Sequence, residues 1–225
     1  MNARIAILAA LPRELAPLVR DWPVRLVSRP DRSSIWECER AIAVCAGMGP
    51  ERVTHALALA EDHGPLTSII SVGYAGALRA GIERNTIYWP GKVIDARTGD
   101  SYNCNGGSGI LVTTDRVLGH EEKPTIAERW GADLVDMEAA VVARLAQERG
   151  LPFRTLRVVS DELGDVLPDL NRFIDARGGF RETPFALHLA LHPRMIPNAI
   201  RLGRHSAEGS RTLARALREV LEYAG

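Results

Sequence analysis

Three carboxylates, those of Glu14, Glu138 and Asp161, follow short apolar stretches of the sequence. In open α/β sheets, ligands bind beyond the carboxyl ends of strands, so carboxylates delivered there can act on one substrate. One carboxylic acid can protonate a leaving group, a second carboxylate can activate water, and a third can hold sugar hydroxyl groups. Cleavage of a ribosyl C–N bond has these needs, because positive charge develops on the sugar and negative charge on the departing base.

Taken singly, each of these carboxylates has a simpler explanation. A helix cap or one half of a surface ion pair accounts for a lone carboxylate better than a catalytic role does. An acid also stays protonated near neutral pH only when burial or a neighbouring carboxylate raises its pKa. The catalytic interpretation therefore depends on the elements that bring the three side chains together.

The first carboxylate lies where a predicted strand gives way to a helix. Residues 4–10 form a continuous apolar run, which is typical of a strand buried on both faces. Pro12 suits the first turn of a helix, where its missing N–H costs nothing. Glu14 is therefore expected just beyond the strand, near a helix N-terminus, and on this pattern alone compensation of the helix dipole is the better explanation.

The other two carboxylates belong to one β-α-β unit. A strand is predicted over 134–136, a helix over 137–149 and a second strand over 153–160. Glu138 is then placed at the start of the helix, and Asp161 at the carboxyl end of the second strand.

Small residues precede or follow two further predicted elements. Gly47-Met48-Gly49 comes before a helix predicted over 51–62, and Gly73 and Ala75 follow a strand predicted over 67–72. Small residues at such points let a ligand approach the backbone, and they serve equally well in tight turns. Both explanations stay open for these segments.

Strand and helix patterns alternate from residue 4 to residue 161, which favours a mixed or mostly parallel sheet with helices on both faces. Beyond about residue 165 the chain is predicted to be helical. The remaining predicted elements are a hairpin of 34–38 and 41–46, a strand over 87–95, a mobile polar loop over 98–109, a strand over 110–115, and helices over 121–130, 170–175, 183–191 and 198–223.

The overall composition excludes several classes of protein. The 225 residues include 28 Lys and Arg against 28 Asp and Glu, so the net charge gives no argument for nucleic-acid binding. No apolar run is long enough to span a membrane, and from the pattern of the first residues we expect no secretory leader. Because the three cysteines and the His, Asp and Glu residues lack metal-ligand spacing, we expect a reduced, cytoplasmic protein without a metal or other cofactor.

Several segments, taken together, resemble the nucleoside phosphorylase/nucleosidase superfamily, and most closely its methylthioadenosine/S-adenosylhomocysteine nucleosidases. They span about 150 residues in the family's order, and the Met-Glu-Ala and Ser-Asp elements are the most specific of them. The matching segments are residues 7–15, Gly47-Met48-Gly49, Val72-Gly73-Tyr74-Ala75-Gly76, Val135-Asp136-Met137-Glu138-Ala139-Ala140 and Val159-Ser160-Asp161.

The resemblance implies an overall architecture. The expected fold is α/β, a three-layer α/β/α single domain over residues 1–225 with a central mixed β-sheet and a helical C-terminal part from about residue 165. The implied assembly is a homodimer, and the implied ligand is a small-molecule nucleoside.

The resemblance also implies roles at individual positions. Asp161, beside Ser160, would be the general acid that protonates the purine N7, and Glu14 would activate the attacking water. Glu138 would bind the ribose hydroxyl groups, and Met137 would pack against the sugar. The other substrate-binding residues expected are Met48, Gly73, Tyr74, Ala75 and Phe173.

One departure from the family bears on the nucleophile. The phosphorylases carry an Arg two residues before Gly73 and a Ser directly after it, both for phosphate. This chain has Ser71 and Tyr74 at those places. With Glu14 present, the pattern favours water over phosphate.

A second departure bears on the base and the sugar. Val117 stands where the nucleosidases have a Phe that stacks on adenine, so Phe173 and Trp89 become the candidates for stacking. Tyr74 replaces the Ser that is typical of the nucleosidases, which alters the ribose site. The substrate can therefore differ from methylthioadenosine.

The C-terminal part points to one branch of the family. Residues 185–197 are apolar and broken by prolines, and residues 194–218 hold six Arg against one acid, Glu208. With residues 95–99 and 167–173, this part resembles the hopanoid-biosynthesis-associated branch, which is linked to removal of adenine from adenosylhopane, a lipid-tailed adenosine. A basic, apolar segment can lie on the anionic inner face of a membrane. An amphipathic helix packed on the domain, with its Arg face in water, is the slightly better explanation.

From the sequence we therefore predict a nucleosidase that hydrolyses the N-glycosidic bond of a 5′-substituted adenosine and releases adenine, with adenosylhopane as the leading substrate. The alternatives are a methylthioadenosine/S-adenosylhomocysteine nucleosidase, a purine nucleoside phosphorylase, and a non-catalytic nucleoside- or lipid-binding module. Phosphate ligands for a phosphorylase would have to come from Gly49, Arg52 or Arg79. The joint retention of three carboxylates speaks against a binding module.

Overall fold

The computed structural model describes residues 3–22, 24–25, 33–166, 170–173 and 196–223. The strands in these ranges are β1 (Arg4–Ala9), β2 (Val24–Arg25), β3 (Ser34–Glu37), β4 (Ala41–Cys45), β5 (Leu66–Ala77), β6 (Ile87–Tyr88), β7 (Lys92–Asp95), β8 (Ser101–Asn103), β9 (Ile110–Thr113), β10 (Leu134–Asp136) and β11 (Phe153–Asp161). The helices are α1 (Pro12–Val19), α2 (Pro50–Asp62), α3 (Lys123–Trp130), α4 (Ala139–Glu148) and α5 (Ile196–Tyr223), with a 3₁₀ turn at Leu170–Phe173.

The strands form one mixed sheet. Its order is β2-β3-β4-β1-β5-β10-β9-β7-β8, with β11 paired to β5 and β6 paired to β11. Strand β1 runs parallel to β4 and β5, and β5 runs parallel to β11, while β7, β9 and β10 form a second parallel set. The two sets meet where β10 pairs antiparallel with Gly76 and Ala77 at the end of β5. The predicted central mixed sheet is confirmed.

Helices cover both faces of this sheet. On β5, Ile69 belongs to the core cluster that includes residues of α2 and α4, and the next residue, Ile70, belongs to the cluster that includes residues of α1 and α5. Successive side chains of a strand point to opposite faces, so burial of both faces explains why this strand is apolar without alternation. The three-layer α/β/α architecture is confirmed.

Three predicted segments differ in the structure. The strand expected over 87–95 is two strands, β6 and β7. The loop expected over 98–109 contains β8, a polar edge strand paired antiparallel with β7. Only Tyr102 of this three-residue strand packs against the core, and a single inward residue leaves no apolar period to detect. The small residues from Gly73 onward, expected to follow a strand, are part of β5 itself.

The described C-terminal residues are helical. Helix α5 begins two residues before the predicted start, and the short helix expected over 170–175 is a 3₁₀ turn over 170–173. The helix predicted over 183–191 and most of the apolar segment 185–197 lie outside the described residues. None of the helices in the described ranges is both long enough and apolar enough to cross a lipid bilayer.

Candidate active site

Glu14 is buried where β1 passes into α1. Its Oε2 accepts a hydrogen bond from the backbone N–H of Leu11 at 2.8 Å, which ties the carboxylate to the start of its own helix. Its Oε1 lies against Gly73, where a Cβ atom would stand only 3.1 Å away. Burial raises the pKa of Glu14, and the hydrogen bond from Leu11 opposes that rise. Glu14 therefore retains its proton more readily than an exposed carboxyl group.

Glu138 stands at the N-cap position of α4, with one carboxylate oxygen unused. Its Oε1 is buried and has no hydrogen-bond partner among the described residues. Burial, together with the neighbouring charges of Asp136 and Glu14, raises the pKa of Glu138 to about 8. Buried polar atoms nearly always have partners. An unpaired oxygen at this place is suited to a ligand that brings a hydroxyl group.

Glu14 and Glu138 line one small cavity between the sheet and helices α2 and α4. Gly73, Tyr74 and Arg157 also line it. The cavity volume is about 20 Å³, which is roughly the space that one water molecule needs. The structure thus brings two of the three predicted carboxylates together around a space of the size of a nucleophilic water.

Arg157 is a residue of this cavity that the sequence analysis missed. It lies in β11 with a side chain almost fully buried, and its Nη2 donates to Asp136 Oδ2 at 2.5 Å and to Ser71 Oγ at 2.8 Å. Its positive charge lowers the pKa values of Glu14 and Glu138. An arginine directly flanked by apolar residues, Leu156 and Val158, within a buried strand is the signal that could have revealed it.

The partner of Arg157 also positions Glu138. Asp136 Oδ2 accepts from the backbone N–H of Ala139 at 2.9 Å, and Asp136 Oδ1 accepts from the Thr113 hydroxyl at 2.6 Å. Thr113 Oγ1 in turn accepts from the N–H of Ala140 at 3.0 Å. The side chains of Asp136 and Thr113 thus cap the first turn of α4, and they fix the backbone that carries Glu138.

Asp161 ends β11 and lies further along the sheet than the cavity. It pairs with Gly76 of β5, three residues beyond Gly73, which corresponds to roughly 10 Å along a strand. A Cβ atom at Gly76 would stand 2.8 Å from Asp161 Oδ2, so only glycine leaves room for this carboxylate. Ser160 Oγ donates to Asp161 Oδ1 at 2.5 Å.

Asp161 has a second partner that the sequence did not suggest. The ammonium group of Lys123, the first residue of α3, lies 2.6 Å from Asp161 Oδ2, and the Lys123 residue is only 1% exposed. Charged residues precede Lys123 in a sequence that is typical of an exposed helix start. Only the packing of α3 against the end of β11 brings this ammonium group inside.

The other predicted site residues take varied places. Tyr74 lines the cavity, but its hydroxyl donates to Ser206 O at 2.7 Å and lies 2.6 Å from Ser210 Oγ, which binds it to α5. Ala75 is buried in β5. Met48 lies before α2 and Met137 directly before Glu138, and both are partly buried.

The two stacking candidates lie in different settings. Phe173 is buried in the 3₁₀ turn, and Asn171 of the same turn exchanges two hydrogen bonds with the backbone of Val117, each of 3.0 Å. One face of the Trp89 ring is occupied by the guanidinium of Arg154, 4.3 Å from the ring centroid.

One of the candidate phosphate ligands is already held in an ion pair. Arg79, one of the phosphate ligands considered, is half exposed and pairs with Asp133 at 2.7 Å. In the described part of the chain, no group of three or more His, Cys, Asp or Glu residues could hold a metal ion.

Solved structures share this fold. The 5′-methylthioadenosine nucleosidase of Arabidopsis thaliana superposes with a TM-score of 0.72 at 16% identity, covering 98% of this chain and 95% of that one. The 5′-methylthioadenosine/S-adenosyl homocysteine nucleosidase of Helicobacter pylori gives 0.70 at 16% identity, with 98% of both chains covered. The futalosine hydrolase of Helicobacter pylori gives 0.68 at 16% identity, covering 98% of this chain and 97% of that one.

Sequence comparison defines the family. Among curated proteins, no sequence matches the chain significantly. A family model described as the Phosphorylase superfamily matches residues 4–110 and 105–191, which together make up most of the chain. The protein therefore belongs to the phosphorylase superfamily.

Proposed function

We propose that the protein is a nucleosidase that hydrolyses the N-glycosidic bond of a 5′-substituted adenosine and releases adenine. The observation that carries this proposal is the water-sized cavity that Glu14 shares with Glu138, whose buried Oε1 has no partner among the described residues. The fold shared with three nucleosidases and hydrolases is consistent with it.

In this proposal Glu14 takes a proton from the attacking water. A base works best when its pKa lies near the working pH, and burial moves the pKa of Glu14 in that direction. Because the pKa of Glu138 is about 8, Glu138 is largely protonated at neutral pH. Two adjacent carboxyl groups do not readily ionise together, so a protonated Glu138 leaves Glu14 as the carboxylate that faces the water.

Glu138 is assigned to the sugar. Its unpaired Oε1 can bond a ribose hydroxyl group, and the N–H of Gly49 contributes a hydrogen bond that lowers the pKa of the same carboxyl group. Asp161 is assigned to the base, where it would deliver a proton to N7 as the C1′–N9 bond breaks. The other proposed substrate contacts are those of Met48, Gly73, Tyr74, Ala75, Met137, Ser160 and Phe173.

The charge balance of the cavity supports water rather than phosphate as the nucleophile. Among the described residues that line the cavity, Arg157 carries the one positive charge, and Asp136 already neutralises it at 2.5 Å. An incoming phosphate would bring further negative charge beside the carboxyl groups of Glu14 and Glu138, which also line the cavity. Ser71, which occupies the place of the phosphorylases' Arg, is itself bonded to Arg157.

Adenosylhopane is the leading candidate for the substrate. The support for it is the resemblance of residues 95–99, 167–173 and 185–197 to the hopanoid-associated branch, together with the apolar character of 185–197. The main alternative substrate is methylthioadenosine or S-adenosylhomocysteine, after which the similar nucleosidase of Helicobacter pylori is named.

Product analysis tests the proposal. The purified protein is incubated with methylthioadenosine, S-adenosylhomocysteine and an adenosine with a long apolar 5′ substituent, with and without phosphate. We expect free adenine at equal rates with and without phosphate, and the highest kcat/KM on the apolar substrate. Adenine that appears only with phosphate would establish a phosphorylase. No adenine from any substrate would favour the binding-module alternative.

We also propose that the protein is a cytoplasmic homodimer, as the family resemblance implies, with a C-terminal helix that packs on the domain and whose basic face can also contact the inner face of the membrane. The support is the excess of Arg over residues 194–218. Replacing Arg201 and Arg204 by Glu should reduce sedimentation with anionic vesicles, because each basic residue near such a surface contributes about 1 kcal/mol. Equal sedimentation of the two proteins, or none for either, would exclude this contact.

A further inference from the structure

The buried ammonium of Lys123 is a feature that the proposed hydrolysis does not yet use. Its Nζ donates to Asp161 Oδ2 at 2.6 Å and to the backbone carbonyl of Glu162 at 2.7 Å. Lysine is almost never fully buried unless it is paired. The pair therefore places a proton-bearing cation in direct contact with the carboxylate that is proposed to face the base.

The hydrogen bonds around Asp161 raise a question about the source of the proton. Oδ2 accepts from the Lys123 ammonium, and Oδ1 accepts from the Ser160 hydroxyl at 2.5 Å. Asp161 therefore meets a hydrogen-bond donor at each oxygen, and of these two donors the Lys123 ammonium is the one that can act as a general acid.

We infer that Lys123 supplies the proton for the departing base and that Asp161 relays it, an inference that rests on the proposed nucleosidase function. Lys123 Nζ gives a proton to Asp161, and Asp161 passes a proton to N7 as the C1′–N9 bond breaks and its electron pair moves to the purine. Water adds to C1′ and loses a proton to Glu14. One proton then passes through solvent from Glu14 to Lys123, which restores both groups.

The chemistry of this position requires an amine rather than any cation. An ammonium group can give up a proton, whereas the guanidinium of arginine does not deprotonate in proteins. The nearby acid Asp165 is paired with Arg84, and the charge of Lys123 helps to lower the pKa of Asp165. The acidic group in direct contact with the Lys123 ammonium is the Asp161 carboxylate, at 2.6 Å.

Two substrates distinguish proton supply from a structural role. One is a 5′-substituted adenosine, and the other is the same nucleoside methylated at N7, whose base leaves as a neutral molecule without a proton. Lys123→Met should lower kcat on the first substrate by about 100-fold or more, as expected for loss of general-acid catalysis, with little change on the second. Lys123→Arg should behave in the same way, because it keeps the charge but cannot supply the proton. The control is Lys92→Met, which removes the chain's other lysine and should leave both rates unchanged.

The ratio of the two rates is the measured quantity, because it does not depend on how much of a variant is folded. An unchanged ratio in Lys123→Met would overturn the inference. A faster cleavage of the adenosine by Lys123→Met, or wild-type rates in Lys123→Arg, would overturn it as well. If the wild-type protein cleaves neither of the two substrates, the proposed function itself is overturned. A loss confined to the unmethylated nucleoside would support proton supply by Lys123.

Discussion

Replacement of Arg157 by Met should destabilise the fold by an amount that the structure allows us to estimate. The side chains of Arg157 and Asp136 are 2% and 1% exposed and 2.5 Å apart, so the substitution leaves a buried carboxylate without its cation. Loss of one partner of such a pair costs about 3–5 kcal/mol. With an unfolding entropy of about 2.1 cal/mol/K per residue, or roughly 0.47 kcal/mol/K for a chain of this length, Tm should fall by about 6–11 °C.

The same substitution should move the pH dependence of catalysis. Burial raises the pKa values of Glu14 and Glu138, and the charge of Arg157 counteracts that rise at both groups. Without Arg157, both pKa values should rise further. Glu14 must be ionised to accept a proton from water, so the acidic limb of kcat/KM should move to higher pH.

Thermal melts followed by circular dichroism and rates of adenine release across the neutral range measure the two effects. The matched control combines Arg157→Met with Asp136→Asn. The Asn side chain can still accept a hydrogen bond from Ala139, and no buried charge remains, so much of the lost Tm should return. An unchanged Tm in Arg157→Met would refute the buried ion pair, and an unmoved acidic limb would exclude Arg157 from the electrostatics of the site.

Three further perturbations test single groups. Burial raises the pKa of Glu138 from 4.5 in the unfolded chain to about 8 in the folded protein. The stabilisation that comes from protonated Glu138 is therefore complete below pH 4.5 and is lost as the pH rises toward 8. Glu138→Gln should therefore show a smaller fall in Tm over that window than the wild-type protein, and parallel curves would contradict this. Glu14→Gln should lower kcat by about 100-fold or more through loss of a positioned base, and near-normal turnover would remove Glu14 from the mechanism. Gly73→Ala sets a Cβ 3.1 Å from Glu14 Oε1 and should lower kcat by about 10-fold. The control Gly164→Ala, whose Cβ meets open space, should leave kcat unchanged, and equal rates in the two variants would count against the close approach at Gly73.

The fold was predictable wherever burial leaves a pattern. The apolar runs of β1, β5 and β11 are buried on both faces, and the hairpin of β3 and β4 turns at the predicted residues 39–40. Strand β8 escaped prediction because its side chains are mostly exposed at the sheet edge, where no hydrophobic period is needed. The extension of β5 through its small residues also escaped prediction. The crowding that requires glycine at Gly76 comes from Asp161, which is far along the chain and not a neighbour in sequence.

The sequence by itself determined the main buried strands and helices and the delivery of Glu14, Glu138 and Asp161 to the ends of apolar elements, because these depend on local periodicity and on short motifs. Tertiary structure alone decided how each carboxylate is partnered. Asp161 meets Lys123, 38 residues away, and Asp136 meets Arg157, 21 residues away, whereas Glu138 keeps an oxygen without a partner among the described residues. Proton affinity and charge balance depend on burial and on contacts between distant segments, and local sequence patterns carry no record of either.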